Sequence, residues 1–264
     1  MKGKINMKRI MLTIRDLAIL GLFTILPLAV GMAVCKVVTG SFEFTFRYLT
    51  MALTLAGALL ALVLFRKKSD VDIPKEGKAP AKLYIWFTLA GAMVPLVNAM
   101  FLLYGAADEE IPFDLTKQLN AMLLAPIAEE LICRCLMTHI IKRGSESKIL
   151  GVLTAVITTA AWIIPHSYST ASAILRLTVS GLIASLIYQK TGCLRLCILN
   201  HAASNIMTTV ILLTARPFSS PLPLAAAIAA AVIVFACLIR EIVKLFKNNK
   251  ENGNVQIRVV PVTQ

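Results

Sequence analysis

The chain has 264 residues, 58% of them hydrophobic and 16% charged, with a mean hydropathy of +0.77. That composition excludes an ordinary soluble domain. A net charge of +13 would suit nucleic acid, but most of the basic residues sit in short stretches between apolar runs, where they set membrane orientation. Several apolar runs reach the roughly 20 residues that cross a bilayer as helix. No stretch is long or polar enough for a separate soluble domain, so residues 1–264 are read as one membrane domain.

Taken in chain order, Lys2, Lys4, Lys8, Arg9 and Arg15 precede an apolar run over 17–38. The run is too long for a signal-peptide core and is read as a first spanning helix. A second span is expected over 48–65. Residues 66–82 form the longest polar connection, with six basic residues and two prolines. A third span, 83–104, is followed by an acidic loop with Asp108, Glu109, Glu110 and Asp114. Further spans are expected over 118–141, 149–166, 171–189, 193–214 and 224–239. The connection 142–148 is short and basic. Pro217, Pro221 and Pro223 mark a turn, and 241–264 reads as a polar, basic, frayed tail. Of the 27 Lys and Arg, 21 fall in the segments that lie inside if the N-terminus is inside. The expected fold is therefore an all-α polytopic bundle of about eight spanning helices with both termini cytoplasmic. No internal repeat suggests an inverted-repeat transporter.

The fourth span carries A-P-I-A-E-E-L-I-C-R over 125–134. Ionisable residues at membrane depth are costly and point to function. Glu130 and Arg134 are four apart and can pair on one helix face. Glu129 lies about 100° round from Glu130 and needs a partner on another helix. His166 and His201 are the two candidates. Trp162-x-x-x-His166 closes the fifth span, and His201-x-x-x-Asn205 lies on the seventh with both side chains on one face. Such a set suits amide hydrolysis. A carboxylate takes a proton from water. Imidazoles bind a divalent metal or polarise a carbonyl, and a carboxamide donates to a developing oxyanion.

The ordered motifs E-E-x-x-x-R, aromatic-x-x-x-H and H-x-x-x-N, with the lead-in from Thr191-Gly192, resemble the CPBP family of intramembrane proteases. That family includes type II CAAX prenyl endopeptidases and the bacterial Abi proteins linked to bacteriocin self-immunity. The resemblance covers about 118–214, which it marks as the catalytic core. It implies that Glu129 activates water, that Glu130 and Arg134 brace the site, and that His166, His201 and Asn205 are the other active-site positions. It also implies a membrane-associated protein or peptide substrate, CAAX-type processing among the options, and a bacterial plasma membrane as the setting. Glu129, His166 and His201 could complete a catalytic zinc site with one open position. They could equally work without metal, glutamate and imidazole activating the water. Trp162 stands where the family has phenylalanine and is expected to wall the same cavity. Pro165 is outside the motif and is expected to kink or end the fifth helix.

Other features have plainer readings. His139 is read as an interface residue and Arg176 as a snorkelling cation. Ser180, Gly181, Ala184 and Ser185 are read as small residues that let helices pack closely. Asn98 and Asn120 are read as cross-helix hydrogen-bond formers. The cysteines 35, 133, 135, 193, 197 and 237 behave as small hydrophobes, although Cys193 and Cys197 could face together. Counted from the outer ends of their spans, Glu129 lies about 17 Å deep while His166 lies near the surface, a mismatch the fold must resolve. A non-enzymatic membrane scaffold or bacteriocin-immunity factor is the alternative, and a metal transporter using the same Glu/His cluster ranks behind it.

Overall fold

A computed structural model describes residues 7–39, 45–67, 71–73, 76–104, 118–143, 145, 147–166, 171–214, 217 and 219–251. The acidic loop expected at 108–114 and the tail beyond 251 lie outside the described residues. The fold is all-helical. In chain order the helices are α1 (Met7–Thr39), α2 (Thr45–Arg66), α3 (Ala81–Leu103), α4 (118–142), α5 (Lys148–Ile163), α6 (Ala171–Thr191), α7 (Leu194–Thr214) and α8 (Leu222–Glu251). Each apolar run of the sequence is one of these helices. Among the described residues four helices are long and apolar enough to cross a membrane: Met7–Val38, Ala81–Leu103, Leu194–Thr214 and Leu222–Lys247. α8 runs on to Glu251, so the first part of the expected tail is helix rather than frayed chain.

Two departures from the expected layout matter for the site. α4 is not a regular α-helix. Its turns at Asn120–Leu124 and Leu131–Met137 are π-helical, and they flank the α-helical segment Ala125–Glu130. Thr138 Oγ1 donates to the carbonyl of Cys133, five residues back, at 3.5 Å. π-turns are rare and frequently mark functional sites. The second departure is the connection 66–82, whose Val71 and Ile73 are buried in the core. Gly77 N–H donates to Gly192 O at 2.9 Å, and Glu76 Oε1 accepts from Arg195 N–H at 3.0 Å. What reads as the longest polar loop therefore tucks its apolar residues under the start of α7.

Close backbone approach ties α7 to the rest. Gly192, with φ +63°, makes the turn between α6 and α7, a conformation that glycine adopts without penalty. Gly91 of α3 backs onto α7, where an added Cβ would lie 2.3 Å from Asn200 O. Asn200 Nδ2 donates to Phe87 O at 2.5 Å, a second fixed contact between these helices. At the basic end, buried Asp16 of α1 accepts from Arg143, which also reaches Thr13 Oγ1 at 3.0 Å and Leu12 O at 2.6 Å. Arg143 closes α4 in the left-handed region with φ 40°.

Candidate active site

The heights of the helices explain how the motifs meet. From Lys142 up to Glu129 and from Lys148 up to Trp162 the chain climbs 13 and 14 residues, about 20 Å in each case. Measured from the short connection 142–148, the two side chains stand level. α5 ends at Ile163, and a single 3-10 turn, Ile164–His166, follows it. That turn brings His166 Nε2 to 3.6 Å from Glu129 Oε2, so the two residues meet despite the mismatch counted along their spans.

Glu129 is the meeting point. Trp162 Nε1 donates to Glu129 Oε2 at 2.6 Å. His166 Nε2 is 3.6 Å and His201 Nε2 3.8 Å from that same oxygen. The indole stacks edge-on to both imidazoles, with ring centroids 5.7 Å from His166 and 5.4 Å from His201. The ring expected to wall the cavity is thus a hydrogen-bond donor at its centre.

Each imidazole is held by its other nitrogen. His166 Nδ1 lies 2.7 Å from Trp162 O, a carbonyl that can only accept, so Nδ1 carries the proton. His201 Nδ1 donates to Glu130 Oε1 at 3.1 Å. Both Nε2 atoms are thereby turned toward Glu129, offering a lone pair when neutral and an N–H when protonated.

Glu130 and Arg134 form the pair that their spacing allows, Arg134 Nε donating to Glu130 Oε2 at 3.0 Å with both side chains buried. Arg134 Nη1 also donates to Ser185 Oγ at 3.1 Å, and Ser185 Oγ lies 3.1 Å from Thr158 Oγ1. The guanidinium sits 5.3 Å from the Trp162 ring centroid, within cation–π range. A buried charge pair holds only if its remaining donors and acceptors are satisfied. Here His201 takes the second carboxylate oxygen, and Ser185 takes a second guanidinium N–H. Ser185, one of the small residues expected to let helices pack closely, also forms polar contacts to Arg134 and Thr158. Its neighbour Gly181 does pack closely, since an added Cβ would lie 2.7 Å from Thr159 Cγ2. The signal for this network lies on α5, where Thr154, Thr158 and Trp162 recur every four residues and so line one face, with His166 four further on in the 3-10 turn.

Asn205 lies one turn above His201, and its Nδ2 donates to Ala121 O at 2.6 Å. It thus ties α7 to the first π-turn of α4, with one N–H engaged in that bond and a second on the same nitrogen. The other singled-out residues lie away from this cluster. His139 Nε2 is 3.1 Å from Tyr188 OH and its ring meets that tyrosine edge-on. Cys193 and Cys197 do not act together: Cys193 Sγ meets Tyr84 OH at 2.6 Å, and Cys197 Sγ approaches Ala184 O at 3.7 Å.

Side-chain exposure rises from 3% at Glu130 through 11% at His201 and 19% at Glu129 to 28% at His166. The cluster is closed on the Arg134 side and opens toward the end of α5. Among the described residues no three His, Cys, Asp or Glu side chains are placed so that they could hold a metal ion. The donor chemistry nonetheless suits a divalent ion, with a carboxylate and two imidazoles whose second nitrogens are oriented by acceptors, as metal-binding histidines usually are.

The family model described as type II CAAX prenyl endopeptidase Rce1-like matches residues 112–207, just over a third of the chain and all three motifs. Over that region the chain is similar to the CAAX-protease family, in agreement with the resemblance of its motifs. No curated protein and no solved structure matches the chain.

Proposed function

We propose that the chain is an intramembrane endopeptidase that uses Glu129 to activate water against a peptide bond of a membrane-associated protein or peptide. The observation that supports this most is the approach of His166 Nε2 and His201 Nε2 to one carboxylate oxygen of Glu129, at 3.6 and 3.8 Å. Glu129 accepts a proton from water as the oxygen bonds to the scissile carbonyl carbon, and the carbonyl π electrons move onto oxygen. The oxyanion receives N–H donors from a protonated His166 or His201 and from the second N–H of Asn205. The C–N bond then breaks, and Glu129 returns the proton to the leaving amine. Glu130, held by Arg134, fixes the His201 ring through Nδ1.

Should a divalent ion such as zinc be bound, Glu129, His166 and His201 would hold it, and it would polarise the scissile carbonyl. The exposure gradient favours substrate approach from the His166 side. Eight membrane crossings with both termini cytoplasmic is the topology that the charge distribution supports.

The test is cleavage in proteoliposomes of a peptide ending in a prenylated CAAX sequence, beside the same peptide without its lipid, with the new C-terminus read by mass spectrometry. Cleavage of the prenylated peptide alone makes the lipid part of recognition. Cleavage of both leaves a peptidase that does not read the lipid. Cleavage of neither removes CAAX-type processing from the account.

A further inference from the structure

A cavity lies away from the glutamate site, between the start of α3 and the middle third of α8. It measures about 310 Å³ and is lined by Lys82, Ile85 and Trp86 from α3 and by Cys237, Arg240 and Glu241 from α8. On each helix the three residues have i, i+3, i+4 spacing and share a face. That volume is at the lower end of small-molecule sites. We propose that this cavity binds the headgroup of an anionic phospholipid.

Charge, position and the surrounding surface all argue for that occupant. Lys82 and Arg240 bring two cations to one mouth. Glu241 is paired with Lys244 at 2.8 Å, so three cations face one carboxylate and the balance favours an anion. Position comes next. Lys82 is the second residue of the apolar helix α3, and Trp86 lies one turn further in. Cations and a tryptophan at the start of an apolar helix mark the level of lipid headgroups. The cavity is at the end of the bundle that also carries Arg66, Lys142, Arg143 and Lys148. By the positive-inside rule that end faces the cytoplasm, the side whose leaflet is anionic and whose inter-helix basic pockets take lipid headgroups.

The surface beyond the cavity decides between a lipid and a free anion. One turn deeper along the same faces, Leu89 of α3 and Ile233 of α8 are exposed, as is Ile85 at the rim. A headgroup seated between Lys82 and Arg240 would leave its acyl chains running over these residues into the bilayer. A soluble phosphate has no use for that apolar track. This site shares no residue with the Glu129 cluster, and the inference stands whether or not the chain is a peptidase.

The test is native mass spectrometry of the purified full chain in detergent, titrated with phosphatidylglycerol, phosphatidylcholine or inorganic phosphate. The wild type should retain phosphatidylglycerol in preference to phosphatidylcholine. Lys82→Gln with Arg240→Gln should weaken that binding about thirtyfold, about 1 kcal/mol for each cation removed. The charge-keeping pair Lys82→Arg with Arg240→Lys should restore most of it. Lys67→Gln with Lys148→Gln, two exposed cations outside the cavity, should leave it unchanged. Equal retention of both lipids, or equal loss in the two glutamine pairs, would overturn the site in favour of diffuse attraction. Inorganic phosphate displacing the lipid at matched concentration would overturn the lipid as its occupant.

Discussion

The indole N–H of Trp162 points at Glu129 Oε2 from 2.6 Å, the shortest polar contact that the carboxylate makes with another helix among the described residues. Because Trp162 also stacks on both histidines, one side chain fixes the carboxylate and spaces the two rings around it. A phenylalanine at this position would keep the ring contacts and lose the donor.

Trp162→Phe keeps most of the aromatic volume and removes the donor. A hydrogen bond to a charged group is worth about 1.5–3 kcal/mol, so kcat should fall roughly ten- to a hundredfold as the carboxylate loses its fixed orientation. KM should change little. A kcat unchanged from wild type would mean that the bond is incidental to the chemistry.

The Glu130–Arg134 pair predicts a strongly non-additive result. Arg134→Met leaves a buried carboxylate unpaired and should cost about 3–5 kcal/mol of stability, and Glu130→Gln should cost a similar amount for the converse reason. The double variant should be much less destabilised than the two losses summed. Ser185→Ala strands one guanidinium N–H, while Thr158 Oγ1 keeps its bond to Ala155 O, and should cost about 1–3 kcal/mol. Denaturant unfolding in detergent reads all four variants. Simple additivity of the first two would deny that the pair is isolated from solvent.

Metal dependence is read from the two histidines. If Glu129, His166 and His201 hold an ion, zinc titrated into purified protein should bind at one equivalent, and His166→Ala or His201→Ala should each abolish that binding. Binding that survives in the double variant would place the ion elsewhere. Full cleavage activity after exhaustive chelation would leave the glutamate and imidazoles to activate water unaided.

Much of the helical layout was legible because membrane helices are written in long apolar runs, and eight such runs correspond to eight helices among the described residues. The i,i+4 rule also anticipated Glu130 beside Arg134. What stayed hidden depends on tertiary contact. In the run 118–141, Pro126 removes one backbone N–H just after the first π-turn, but the apolar pattern does not specify π-turns on either side of it. Ser185 looks like one small residue among four until Arg134 is seen above it. Val71 and Ile73 lie in a segment whose six basic residues mark it as solvated, yet both are buried. Asp16, alone among basic residues near the N-terminus, drew no notice in the sequence and is buried against Arg143.

The most direct test of the central claim is cleavage by Glu129→Gln, reconstituted beside the wild type and matched to it in amount and melting temperature. Glutamine keeps the shape and can still accept from Trp162, but it cannot take a proton from water. The account predicts product from the wild type and none above background from the variant, with both proteins equally stable. Product from a well-folded Glu129→Gln at the wild-type rate would contradict it.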